Sequence, residues 1–232
     1  RRAHGINAAV EGARAAIIGG AIGTSCTLSA KEFNVPASGT MAHSWVQSFD
    51  SEYEAFKTYA EIYPDDCTLL IDTYNTIESG LPNAIKVFNE VLKPKGYKPK
   101  AVRLDSGDLA YLSKKVRKIL DEAGYTECKI CATNSLDEYL IKSLIEQDAK
   151  IDSFGVGENL ITAKSEPVFG GVYKLVGIEK DTKIIPKIKV SENVVKVTNP
   201  GFKKVYRFYD NESQKAIADV IALSDEIIDE RE

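Results

Sequence analysis

The sequence predicts an α/β fold in which parallel strands alternate with helices, followed by a smaller β-rich segment. Three observations carry this. Short apolar runs recur at Thr68 to Ile71, Ala101 to Leu104, Lys129 to Ala132 and Ile151 to Phe154, with the length and composition of buried strands. Stretches with apolar residues at helical spacing separate them, which is the signature of βαβ units. After Gly170-Gly171 the helical pattern stops, and Val172 to Ile178, Ile184 to Val190 and Val205 to Tyr209 have strand composition with no helix between them. Roughly six strand–helix units before residue 165 are too few for a complete eight-fold barrel. The expected architecture is therefore an incomplete, irregular α/β barrel over 1–168, or an open sheet. A β-rich segment with a short helical tail near Leu223 to Ile228 is expected over 169–232.

The elements follow in order. Asn7 can cap an Ala-rich helix from Ala8 to about Ile18, ended by Gly19-Gly20. Gly23-Thr24-Ser25-Cys26 reads as a turn or short strand end, and Asn34-Val35-Pro36 starts an extended piece ending at Ser38-Gly39-Thr40. Ser51 with Glu54 fits a capping box, and Pro64 stops the helix it opens. Pro82 opens a helix striped by Ile85, Phe88, Val91 and Leu92. Asp108 caps the helix carrying Leu112, Val116, Ile119 and Leu120, and a third helix carries Leu140, Leu144 and Ile145. Asp210-Asn211-Glu212-Ser213 is a hairpin turn.

Composition narrows the function classes. With 232 residues, 44% hydrophobic and 28% charged, the chain can bury a sizeable core. A net charge of −4 and a pI near 5.5 give no reason to expect a nucleic-acid partner. No apolar run is long enough to span a bilayer and no signal-peptide pattern opens the chain, so a cytoplasmic protein with no membrane partner is expected. The chain opens on Arg1-Arg2 without an initiator Met, as expected of a piece of something longer. Cys128-Lys-Ile-Cys131 is formally a C-x-x-C. Inside a strand its two thiols point to opposite faces, and no second pair completes a zinc set. Cys26, Cys67, Cys128 and Cys131 therefore read as buried thiols of a reducing compartment.

Polar clusters end four successive strands: Asp72-Thr73, Asp105-Ser106, Thr133-Asn134-Ser135 and Gly155-Val156-Gly157. If the strands are parallel, these clusters meet at one rim, where α/β proteins bind ligands. Gly155 and Gly157 can bring backbone N–H groups close to an anion, and Thr133, Asn134 and Ser135 add donors beside them. A phosphate-bearing sugar suits that rim, while the absence of G-x-x-x-x-G-K-[ST] excludes a P-loop. His43 is one of two histidines and follows Ser38-Gly39-Thr40 at a strand-to-helix junction, where imidazole can act as base or nucleophile. His4 lacks that context. Arg1, Arg2 and Arg14 can supply guanidinium forks for phosphate or carboxylate.

Taken together, Arg1-Arg2, Gly23-Thr24-Ser25, Gly39-Thr40-Met41-Ala42-His43-Ser44-Trp45, Arg103-Leu104-Asp105-Ser106-Gly107-Asp108 and Phe154-Gly155-Val156-Gly157 resemble the motif series of the nicotinate phosphoribosyltransferases, in order and spacing. The likeness covers nearly the whole chain and corresponds to the central and later part of the family enzyme. It implies a type II phosphoribosyltransferase fold, an irregular α/β barrel with an added domain, in an enzyme that is usually a homodimer. It implies formation of nicotinate mononucleotide and pyrophosphate from nicotinate and phosphoribosyl pyrophosphate in NAD biosynthesis, with ATP hydrolysis coupled through a phosphorylated histidine and Mg²⁺ accompanying the phosphates. By the same resemblance the phosphorylated histidine is His43. Arg103 would lie near the nicotinate and the sugar phosphate. Asp105 would hold the ribose hydroxyls and stabilise positive charge at the anomeric carbon. Gly155 and Gly157 would bind the 5-phosphate, Arg1 would meet the pyrophosphate side, and Ser106, Thr133 and Asn134 complete the expected substrate contacts. Thr133-Asn134-Ser135 departs from the Ser-Gly-rich phosphate loop of many relatives. The competing expectations are another type II enzyme, for nicotinamide or quinolinate, or an inactive barrel fragment that needs the missing regions.

Overall fold

A computed structural model describes residues 2–168, 170–190, 192 and 197–228. The chain divides into two units, Arg1–Val168 and Phe169–Glu232.

The first unit is built on a parallel sheet of four strands, β1 (Thr68–Leu70), β2 (Ala101–Leu104), β3 (Lys129–Ala132) and β4 (Ser153–Phe154). The strands lie side by side in chain order without reversal. That order is an arc of a barrel; a doubly wound sheet would switch direction partway. Leu69, Leu70, Val102, Leu104, Ile130 and Ala132 are fully buried, as strands covered on both faces require.

Helices α1 (Ile6–Ile18), α2 (Thr27–Phe33), α3 (His43–Gln47) and α4 (Glu52–Ile62) precede the sheet. Between the strands run α5 (Leu81–Val87), α6 (Leu109–Glu122) and α7 (Glu138–Glu146), and α8 (Glu158–Ile161) follows β4. The capping residues behave as their chemistry dictates: Ser51 Oγ, Asp108 Oδ1 and Asp137 Oδ1 accept from Glu54 N, Tyr111 N and Leu140 N. Asn7 does not cap. The first helix starts two residues earlier, with Gly5 as its N-cap and Asn7 inside it. Only one bridge, Thr24 with Ala37, forms in the Gly23 to Ser38 region among the described residues. Cys67 and Cys128 are buried, and burial pushes both thiols up to about 12; Cys26 and Cys131 are half-buried.

The segment before α5 sets the position of the β1 loop. Asn75 Oδ1 accepts from Ile77 N and Glu78 N and opens a π-helical turn over Thr76–Gly80. Such turns are rare and cluster at functional sites. Glycine at position 80 is required by packing, since a Cβ there would lie 1.8 Å from the carbonyl oxygen of Ile71. The helix therefore rests directly on the backbone that ends β1.

The second unit contains two antiparallel hairpins, β5 (Gly177–Lys180) with β6 (Lys183–Pro186) and β7 (Lys203–Tyr209) with β8 (Ala216–Leu223). Asp210 forms the expected turn, its Oδ1 accepting from Ser213 N at 2.7 Å. The helical tail expected near Leu223 to Ile228 is not helix: β8 runs to Leu223 and is followed by a turn and irregular chain. Ile217, Val220 and Ile221 stand at helical spacing, so pairing decides the strand: Ile221 and Val220 lie opposite Val205 and Tyr206 of β7.

Gly80→Ala is expected to destabilise the full-length protein by about 1–3 kcal/mol, the range for overpacking a tight interior, because backbone on both sides leaves nothing flexible to yield. Urea unfolding reads this directly, and an unchanged midpoint would contradict the close approach.

Candidate active site

Parallel register brings the loops after β1, β2, β3 and β4 to one edge of the sheet. At the end of β2, Arg103 is largely enclosed and its guanidinium is held at three points. Its Nη1 donates to Met41 O at 3.1 Å, its Nε to Thr133 Oγ1 at 3.0 Å and its Nη2 to Asp105 Oδ1 at 3.2 Å. Five N–H donors are available, so two remain to face a ligand.

Asp105 stands at the centre. Its Oδ1 accepts from Arg103 and, in a short bond, from the Thr133 hydroxyl. Its Oδ2 lies 3.4 Å from His43 Nε2. Burial alone would raise the Asp105 pKa; the Thr133 hydroxyl, the Arg103 guanidinium and His43 outweigh it and hold the carboxyl below its ordinary value. His43 is the first residue of α3, and its Nδ1 lies 3.1 Å from Thr73 Oγ1. The imidazole is thus fixed on one side by a hydroxyl and faces carboxylates on the other.

Asp72, at the end of β1, was visible in the sequence only as part of a polar strand end. Its side chain is 2% exposed. One oxygen, Oδ2, accepts from Asp105 N at 2.8 Å and from Ser106 Oγ at 2.5 Å. The other, Oδ1, is buried, has no hydrogen-bond partner and lies 4.0 Å from His43 Nε2. Burial of a carboxylate between two strand ends leaves no trace in local sequence pattern, which is why spacing alone did not single it out.

The structure brings His43, Arg103, Asp105, Ser106 and Thr133 together. The Ser106 hydroxyl proton is directed to Asp72, so it serves the loop rather than standing open to substrate. Gly155 adjoins Thr133: a Cβ at Gly155 would lie 2.6 Å from Thr133 Cγ2. Its N–H is committed to Ala132 O at 2.8 Å, so of the G-x-G turn it contributes close approach and not a donor. Asn134 is exposed beside it, with φ 89, and Ser135 follows at φ 49. Two consecutive non-glycine residues in the left-handed region cost about 1–3 kcal/mol each and persist mainly at functional sites. Asn159 Nδ2 donates to Ser135 O at 2.8 Å and pins this loop. Arg2 pairs with Glu158, next to Gly157, at 3.2 Å. Arg1 lies outside the described residues. Exposed Arg14 pairs with Glu11 and stacks over Phe33, and His4 is exposed.

A carboxyl whose folded pKa lies below its unfolded value of about 3.9 stabilises the fold above that pH and loses its contribution as pH falls through the folded value. Asp105→Asn is therefore expected to lower stability at neutral pH and to lower it progressively less as pH falls below about 4. Urea unfolding at stepped pH measures the gap; a gap constant down to the acid end would mean that Asp105 is not held ionised by its partners.

The model of the nicotinate phosphoribosyltransferase (NAPRTase) family matches residues 1–207, and that of the nicotinate phosphoribosyltransferase C-terminal domain matches residues 202–232. The chain is 52% identical over 231 residues to the nicotinate phosphoribosyltransferase of Bacillus subtilis, an alignment covering 100% of this chain and 46% of that protein. It is 44% identical over 209 residues to a nicotinate phosphoribosyltransferase of Mycobacterium tuberculosis, covering 89% of this chain and 42% of the relative. The crystal structure of human nicotinic acid phosphoribosyltransferase superposes with a TM-score of 0.73 at 25% identity, over 99% of this chain and 52% of that one. The chain thus spans about half the length of the curated relatives it matches. With its parallel sheet and C-terminal antiparallel strands consistent with the type II phosphoribosyltransferase fold, the chain belongs to the nicotinate phosphoribosyltransferase family.

Proposed function

We propose that the full-length protein joins nicotinate to phosphoribosyl pyrophosphate, releasing pyrophosphate and forming nicotinate mononucleotide, with ATP hydrolysis coupled through phosphorylation of His43. The observation that carries this reading is the meeting of His43 Nε2, Asp105 and the tethered Arg103 within one rim at the carboxyl end of a parallel sheet. Family membership supplies nicotinate and phosphoribosyl pyrophosphate as the substrates.

The chemistry asks for three things. The bond from the anomeric carbon to pyrophosphate breaks as the ring nitrogen of nicotinate attacks that carbon, and positive charge builds on the sugar between the two events. Asp105, kept anionic, faces that charge and accepts from the ribose hydroxyls; fixed charge aimed at developing charge acts without reorganisation. The two spare N–H groups of Arg103 orient an anionic group of substrate. Asn134, Gly155 and Gly157 seat the 5-phosphate, Gly155 by leaving room rather than by donating, and Arg1 meets the pyrophosphate side, while Ser106 holds the loop through Asp72. Holding both reactants in line contributes about 7–11 kcal/mol of the barrier.

Among the described residues no group of three or more His, Cys, Asp or Glu is arranged to hold a metal ion. Mg²⁺, however, binds through one or two carboxylates and substrate phosphates while keeping several waters. The unpartnered Oδ1 of Asp72 and the Oδ2 of Asp105 fit that role. Mg²⁺ arriving with pyrophosphate or ATP would there neutralise phosphate charge. His43 is the available nucleophile for the ATP phosphoryl group, with Thr73 fixing its ring. We further assign the full-length protein to the cytoplasm, as a homodimer; among the described residues no helix is long and apolar enough to cross a membrane.

Assay of the full-length protein with nicotinate, nicotinamide and quinolinate, with and without ATP, tests this. Turnover of nicotinate stimulated by ATP is expected; preference for either other ring would move the protein to a different type II activity. Asp105→Asn is expected to lower kcat by roughly 10²–10³-fold, the loss typical of one electrostatic stabiliser, while the protein stays folded. His43→Ala is expected to abolish ATP hydrolysis and its coupling and to leave slow ATP-independent transfer. Phosphate found on another residue after incubation with ATP and Mg²⁺ would refute the coupling role.

A further inference from the structure

Thr133 is the first residue beyond β3, and both halves of its side chain are committed. The hydroxyl oxygen accepts from Arg103 Nε at 3.0 Å. Its single proton has two acceptors within reach, Leu104 O at 3.3 Å and Asp105 Oδ1 much closer. The ionised, nearer carboxylate is the stronger acceptor. Arg103 Nη2 reaches the same Oδ1. Arg103, Thr133 and Asp105 therefore close a ring in which every bond has one donor and one acceptor. The ring ties up Oδ1 and turns Oδ2 toward His43. The methyl group faces the other way, onto Gly155, where a Cβ would meet it at 2.6 Å. Thr133 N donates to Leu104 O at 2.8 Å, so the backbone beneath is anchored to β2 as well.

A hydroxyl whose proton is already given to Asp105 cannot donate it to a substrate phosphate. We propose that Thr133 is a positioning residue, which acts on the reaction by holding the Asp105–Arg103 pair in its working orientation rather than by touching substrate. This rests on the phosphoribosyl-transfer reading given above, in which Asp105 faces the sugar. Threonine suits the position because it alone joins a hydroxyl for the carboxylate to a methyl for the glycine turn. Valine keeps the shape and removes the hydroxyl; serine keeps the hydroxyl and removes the methyl.

The test uses the full-length protein and four variants, Thr133→Val, Thr133→Ser, Asp105→Asn and the Val/Asn double. Thr133→Val is expected to lower kcat about 10- to 100-fold, the loss of one hydrogen bond to a charged group, with KM for phosphoribosyl pyrophosphate changed little. Thr133→Ser is expected to restore most of kcat. The double variant is expected to be no slower than Asp105→Asn alone, because Thr133 acts through that carboxylate. A raised KM for phosphoribosyl pyrophosphate with kcat intact, equal damage from Val and Ser, or losses that multiply in the double would each overturn the proposal. A double-mutant cycle of stability, read by urea unfolding without substrate, separates this from failure of the functional reading. Thr133→Val and Asp105→Asn are expected to be coupled whatever the substrate, and additive losses overturn the positioning role even where nicotinate is turned over. Where Thr133→Val does not fold, Thr133→Ser against Thr133→Ala carries the same contrast in both readouts.

Discussion

The carboxylate of Asp72 is the constraint on which the rim depends. It lies in the loop after β1, yet both bonds to its Oδ2 come from the loop after β2, through Asp105 N and Ser106 Oγ. A buried carboxylate without such donors would be costly by several kcal/mol, so the two loops are held at one spacing. That spacing sets where the Asp105 side chain begins. From there the ring through Arg103 and Thr133 fixes where it ends, and Thr133 carries the fit on to Gly155 after β4. Four strand ends become one object through a chain of side-chain contacts, each passing from one strand to a neighbour.

Asp72 needs its own support, and this comes from the backbone packed beneath it and from a side-chain clamp behind that. The π-helical turn Thr76–Gly80 presses Gly80 onto Ile71 O, directly before Asp72. Glu52, at the start of α4, takes bonds from Ser79 Oγ at 2.5 Å and Asn83 Nδ2 at 3.1 Å. It thereby clamps the same turn to α4 from the far side. The irregular turn is thus the element that seats α5 on the backbone leading into the rim. Pro82 lies in the first turn of α5, where its missing N–H costs nothing.

Much of this architecture is legible in the sequence because it follows local rules. The β2 and β3 boundaries agree with the apolar runs at Ala101 and Lys129, and Ser51, Asp108 and, for the hairpin, Asp210 perform the local bonds that their types favour. His43, Arg103 and Asp105 stand out because polar residues at strand ends are conspicuous against the buried runs. Asp72 does not stand out, since its role is defined by a partner 33 residues away. Gly80 is one glycine near a helix start until the Ile71 carbonyl is placed beneath it. Thr133 is an acceptable phosphate donor by composition; only the geometry directs its proton to Asp105. The extent of β8 has a similar cause, because its strand runs through Leu223 by pairing with Lys203 of β7, a partner distant in sequence.

The charge arrangement explains why the rim is built so tightly. Asp72, Asp105 and Glu158 are all acidic, and two cations beside them among the described residues are already engaged: Arg103 with Asp105, Arg2 with Glu158. The substrates proposed for the site are strongly anionic. An unmodified rim of this kind attracts them weakly, and bulk attraction is no help at a net charge of −4. Binding must then come from directed groups and from charge that arrives with the ligand. In the proposed function the spare N–H groups of Arg103 and the Asn134 loop would supply the first, and a divalent cation accompanying the phosphates, held through Asp72 and Asp105, would supply the second. Two carboxylates beside a tethered guanidinium would then favour phosphates that carry the metal, while the bonds from Thr133 and Arg103 hold Asp105 below its ordinary pKa and so keep it anionic.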